Sequence, residues 1–81
     1  MSKIQADSAQ DQRLAQAERL VQLRRDKGLT AEQLAQAMTK AGAKVSRGAI
    51  SNWERGINGI VSSKLPTLAH ILGCTEGYLL R

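Results

Sequence analysis

"TAEQLAQAMTKAGAKVSRGAISNWERG", residues 30–56, decides the fold. It holds two helical patterns in succession, each with its own start and stop signals. The first opens on Thr-Ala-Glu-Gln, a capping box in which the Thr30 hydroxyl and the Gln33 side chain each satisfy a free backbone amide. Leu34, Ala35, Met38 and Ala41 give its apolar stripe, and Gly42 ends it. Ser46 is placed to cap the second helix, which runs to Arg55 with Gly56 as its C-terminal glycine. At about 100° per residue, Ala49, Ile50 and Trp53 share one face of that helix. Arg47, Gly48, Ser51, Asn52 and Arg55 share the other. One side packs and the other is displayed.

Working outward, Leu14, Ala17, Leu20, Val21 and Arg24 lie on one side of a first helix that starts at Ser8 or Asp11 and stops at Gly28. Residues 1–8 are polar and unpatterned, which predicts a flexible N-terminal arm and leaves 9–81 as one domain. Beyond Gly56, "INGIVSS" is a loop of unusual apolarity. Ser63 is the expected cap of a fourth helix, with Pro66 tolerated in its first turn. Leu65, Leu68, Ala69 and Leu72 share its apolar face, and Gly73 stops it. Thr75 starts a short last helix carrying Tyr78, Leu79 and Leu80. The expected architecture is all-α, five helices in one compact bundle.

Composition agrees. Eighty-one residues make one domain around one small core. Phe is absent and Trp53 and Tyr78 are the only aromatics, so the core is built from Leu, Ile, Val, Ala and Met, which suit packed helices. Trp53 reads as a core anchor, because it shares a face with Ile50 and a lone aromatic is a poor platform for stacking bases. Arg24 lies on the apolar stripe of the first helix. A buried guanidinium needs a partner, and Glu54, at the edge of the inner face of 46–55, is the best candidate for an ion pair.

Twelve Lys and Arg against seven Asp and Glu leave a net charge of +5, which points to an anionic partner. The basic residues are scattered and not set along one amphipathic helix, against a membrane surface. No segment is long enough to span a bilayer, and "MSKIQADSAQ" lacks the apolar run of a signal peptide, so a cytoplasmic protein is expected. Cys74 is the only cysteine and reads as a small packing residue; His70, opposite the leucine stripe of the fourth helix, reads as solvated. One His and one Cys give a metal site almost nothing to build on, and no nucleophile–base pair or Gly-rich phosphate cradle is visible. The expectation is no catalytic residue, no metal, no cofactor, and hence no enzyme.

Two short helices, 30–41 and 46–55, can support the second across the major groove of double-stranded DNA, whose width admits an α-helix. Asn pairs bidentately with adenine, Arg with guanine, and Ser reaches a phosphate or a base edge. "GLTAEQLAQAM" (28–38), "VSRGAISNWERG" (45–56) and "LPTLAHILGCTEGYLL" (65–80) resemble the Cro/repressor-type helix-turn-helix family, the lambda-repressor-like DNA-binding domain of bacteria and their phages. The resemblance covers residues 13–80, with its pieces in the family's order and close to its spacings.

It implies a transcriptional regulator, in most such cases a repressor, bound as a homodimer to a two-fold symmetric, palindromic operator through the N-terminal half of 46–55. The base-reading candidates are Arg47, Gly48, Ser51 and Asn52; the phosphate candidates are Thr30, Lys44, Ser46, Arg55 and Asn58. The family's usual subunit interface corresponds to residues 72–80, so Cys74, Tyr78 and Leu79 are interface candidates, with Ile60 and Val61 from the apolar loop. Three features depart from the family pattern. Ala31 replaces the Gln that usually binds phosphate, the connection between Ala35 and Ser46 is stretched, and the loop after 46–55 is apolar instead of basic. An antitoxin-type autoregulator and a restriction-modification controller belong to the same class. The alternative from another class is a protein-interaction module with this fold and no DNA binding. Many relatives continue into a second domain where this sequence ends at "YLLR", so truncation of a longer chain is a further expectation.

Overall fold

The computed structural model describes residues 2–81, with side chains from residue 11 onward. Five α-helices and one 3-10 turn occur among the described residues: α1 (Ser2–Asp26), α2 (Ala31–Lys40), α3 (Arg47–Glu54), the 3-10 turn Ser62–Lys64, α4 (Leu65–Leu72) and α5 (Glu76–Leu80). No strand is present among them.

The helix starts follow their side-chain caps. Gln33 N donates to Thr30 Oγ1 at 3.1 Å and Thr30 N donates to Gln33 Oε1 at 2.8 Å, the reciprocal pair of a capping box. Ser46 Oγ accepts from Ala49 N at 3.1 Å to start α3, and Thr75 Oγ1 accepts from Tyr78 N at 3.1 Å to start α5. Two starts differ from the sequence reading. α1 begins at Ser2 and not at Ser8 or Asp11. An apolar stripe records which part of a helix is covered, whereas backbone hydrogen bonding needs no stripe, and Lys, Gln and Ala are good helix formers. The flexible arm expected over 1–8 concerns residues whose side chains fall outside the described ones. Ser63 caps nothing: Ser62–Lys64 winds as a 3-10 turn, Lys64 takes the cap position of α4 without a side-chain bond, and Pro66 sits in the first turn.

All five helices feed one core. Leu20 of α1, Leu34 and Met38 of α2, Ile50 and Trp53 of α3, Leu65, Leu68 and Leu72 of α4, and Leu79 of α5 bury together. Leu14, expected on the covered stripe, is 42% exposed, and Ala41 lies past the end of α2 in the open. Leu79, a candidate for the subunit interface, is 0% exposed within the single chain. The cap at Thr75 sets the phase of α5, which turns Leu79 inward and leaves Tyr78 and Leu80 outside.

The turn after α3 requires a glycine. Gly56 has φ +72°, and a Cβ there would stand 2.9 Å from Leu14 Cδ2. Its amide bonds back to the Trp53 carbonyl at 3.2 Å, and Ile57 N reaches the Asn52 carbonyl at 3.0 Å. The end of α3 thus folds back under α1, where Arg13 Nη1 donates to the Ile57 carbonyl at 3.3 Å.

Candidate nucleic-acid interface

Two contacts fix α3 from behind. Ile50 and Trp53 insert into the core, Trp53 to 4% exposure. At the helix end, Arg24 Nε donates to Glu54 Oε2 at 2.5 Å and Nη2 donates to Oε1 at 3.0 Å. The third nitrogen, Nη1, donates to the Leu29 carbonyl at 2.7 Å. The guanidinium therefore joins α1, the α1–α2 connection and α3 in one network. With side-chain exposures of 14% for Arg24 and 11% for Glu54, the pair is largely withdrawn from water.

The outer surface is then held in place. Arg47 and Gly48 are exposed in the first turn of α3, Ser51 and Asn52 are half-buried in the second, and Arg55 is exposed at the end. A Cβ at Gly48 would meet only Ser46 Oγ, at 3.7 Å, so the fold itself does not demand glycine there. Its effect is to leave the helix bare between Arg47 and Ser51.

The stretched α2–α3 connection is an ordered turn. Thr39 Oγ1 accepts from Val45 N and donates to the Val45 carbonyl, both at 3.3 Å, and the Lys64 ammonium donates to the Lys44 carbonyl. Between this turn, α3 and the loop after it lies a groove of about 550 Å³, lined by Lys44, Ser46, Asn52, Asn58 and Lys64, with Trp53 in its wall. Four of the DNA-contact candidates meet there, Lys44, Ser46, Asn52 and Asn58, along with the interface candidate Val61. Arg47 instead borders a separate hollow of about 360 Å³ between α2 and the start of α3, with Glu32, Gln36 and Thr39. Thr30 stands apart from both grooves, its hydroxyl engaged in the capping box.

Lys64 is the residue that the sequence reading missed. It precedes Leu-Pro at the start of a helix, which was a usable signal, but its partner lies 20 residues away in an irregular turn.

The interface candidates divide. Val61 is exposed, whereas Ile60 and Cys74 are half-buried and pack on the core. Burial pushes the Cys74 thiol above its ordinary pKa. Tyr78 is 40% exposed, with the guanidinium groups of Arg19 and Arg81 at 6.0 and 5.8 Å from its ring centre. His70 is exposed. No described helix is long and apolar enough to cross a membrane.

A capped helix, an ordered turn and a second helix anchored by its apolar face, with Arg, Ser and Asn turned outward, define a small all-α helix-turn-helix domain. A family model described as helix-turn-helix matches residues 20–79, most of the chain. The chain belongs to this family, of the lambda-repressor-like kind, and is a DNA-binding helix-turn-helix regulator. The family is one of DNA-binding regulatory domains, not of enzymes. Comparisons with curated proteins and with solved structures return no match.

Proposed function

We propose that the protein is a sequence-specific repressor of transcription that binds a palindromic operator in double-stranded DNA as a homodimer. The observation that carries this reading is the outer face of α3: Arg47, Gly48, Ser51 and Asn52 on a helix whose inner face and end are both fixed. Such a helix enters the major groove without losing much freedom, and preorganisation of this kind favours affinity. Arg47 and Asn52 read bases, Gly48 leaves room for a thymine methyl, and Ser51 reaches a base edge or a phosphate. Ser46 and Arg55, at the two ends of α3, with Thr30, Lys44 and Asn58, face phosphates. The protein works in the cytoplasm, with no cofactor or metal and no catalytic step.

Pairing of two copies accounts for the exposed apolar side chains Val61, Tyr78 and Leu80. Ile57 and Val61, 48% and 47% exposed beside α3, favour a second reading, a protein-interaction module of the same fold. Selection of duplexes from a random-sequence pool by the purified protein separates the two. The operator reading expects an enriched inverted repeat and a two-to-one complex on it in sedimentation. A pool without enrichment contradicts DNA reading, and a strict one-to-one complex on a full palindrome contradicts the homodimer.

A further inference from the structure

We propose that the groove between the stretched turn and the 3-10 turn seats a backbone phosphate of one DNA strand, gripped by Lys44 and Lys64. The proposal deepens the reading of α3 as a DNA-reading helix and rests on it. Two lysines from distant parts of the chain line one groove beside α3, together with Ser46, Asn52 and Asn58. No acidic side chain lines it, whereas the hollow beside Arg47 includes the carboxylate of Glu32. Charge complementarity therefore places the anion in the first groove and not in the second.

The turn geometry supplies the grip. Lys64 donates one ammonium hydrogen to the Lys44 carbonyl, and an ammonium carries three donors, so two remain for an anionic oxygen. That bond also holds the flexible Lys64 side chain in position, reducing the entropy lost on binding. Lys44 is exposed on the rim of the same groove. Asn52 belongs both to the outer face of α3 and to the groove wall, so a strand whose bases meet α3 passes its backbone beside the lysines.

Salt dependence tests the assignment, because each neutralised phosphate adds about 0.9 to the log–log slope of affinity against salt. The probe is a duplex selected from a random-sequence pool by the wild-type protein, titrated between about 50 and 200 mM salt, the range over which one phosphate contact amounts to about a threefold change. Lys44→Met and Lys64→Met each flatten the slope, the two together by about 0.9 for the one phosphate they share, and leave the order of preference among duplexes unchanged. Lys64→Arg keeps the wild-type slope. Lys44→Met leaves the carbonyl that receives the Lys64 bond in place, so its result does not depend on the turn being disturbed. Wild-type slopes in both methionine variants overturn the phosphate seat and leave the α3 reading standing. A wild-type protein that selects no duplex overturns both.

Discussion

Glu54→Ala is expected to destabilise the fold by about 3–5 kcal/mol, the usual consequence of removing one partner from a buried ion pair. Arg24 and Glu54 make two hydrogen bonds to each other, and the remaining contact of Arg24 goes to the Leu29 carbonyl. The variant leaves the guanidinium withdrawn from water with one carbonyl as its partner, and the desolvation cost is no longer offset. An exposed pair would contribute only about 0–1 kcal/mol, so the magnitude separates the two cases. For a domain of this size each kcal/mol lowers Tm by about 4–8 °C, and the expected loss is correspondingly large. Arg24→Met combined with Glu54→Leu should recover most of it, because it removes both charges and fills the space. Thermal and denaturant melts decide; a Glu54→Ala Tm within error of wild type rules out a stabilising buried pair.

Trp53→Ala carries a loss of similar size, about 3–5 kcal/mol, for a different reason. The indole is 4% exposed in the shared core, on a helix that packs against α1 and α2, so truncation leaves a cavity beneath α3. Trp53→Phe keeps an aromatic ring there and should cost far less, with the order of preference among DNA duplexes unchanged. That outcome identifies Trp53 as a packing residue. A Trp53→Phe protein that is as stable as wild type but loses affinity for every duplex would instead assign the indole to stacking on bases.

Much of this molecule is legible in short-range chemistry. The Thr30 capping box, the Ser46 cap and the turn at Gly56 are encoded within four residues of the positions they fix, so the helix-turn-helix unit can be read directly. The Arg24–Glu54 pair, though 30 residues apart, follows from the cost of burying a lone guanidinium on an apolar stripe. Leu14 and Leu79 show where such reading stops. Periodicity says which side of a helix is apolar, but the neighbouring elements decide which of those residues is covered; α5 is too short for its five residues to set a phase without its cap. Ser63 has the chemistry of a cap, yet the chain around it winds as a 3-10 turn and α4 starts after Lys64 without a side-chain cap. The link from Lys64 to the Lys44 backbone joins two irregular segments, and no local pattern announces it.

We propose that the outer face of α3 reads base sequence. The most direct test is binding of wild type, Arg47→Ala, Asn52→Ala and Arg55→Ala to every single-base variant of the selected duplex, at two salt concentrations. A good bidentate contact discriminates by about 1–3 kcal/mol, so Arg47→Ala and Asn52→Ala should each abolish preference at particular operator positions and leave the others intact. Arg55→Ala should weaken all variants about equally and flatten the salt slope, as a phosphate contact does. If both Arg47→Ala and Asn52→Ala keep the full set of wild-type base preferences, α3 is not the element that reads DNA.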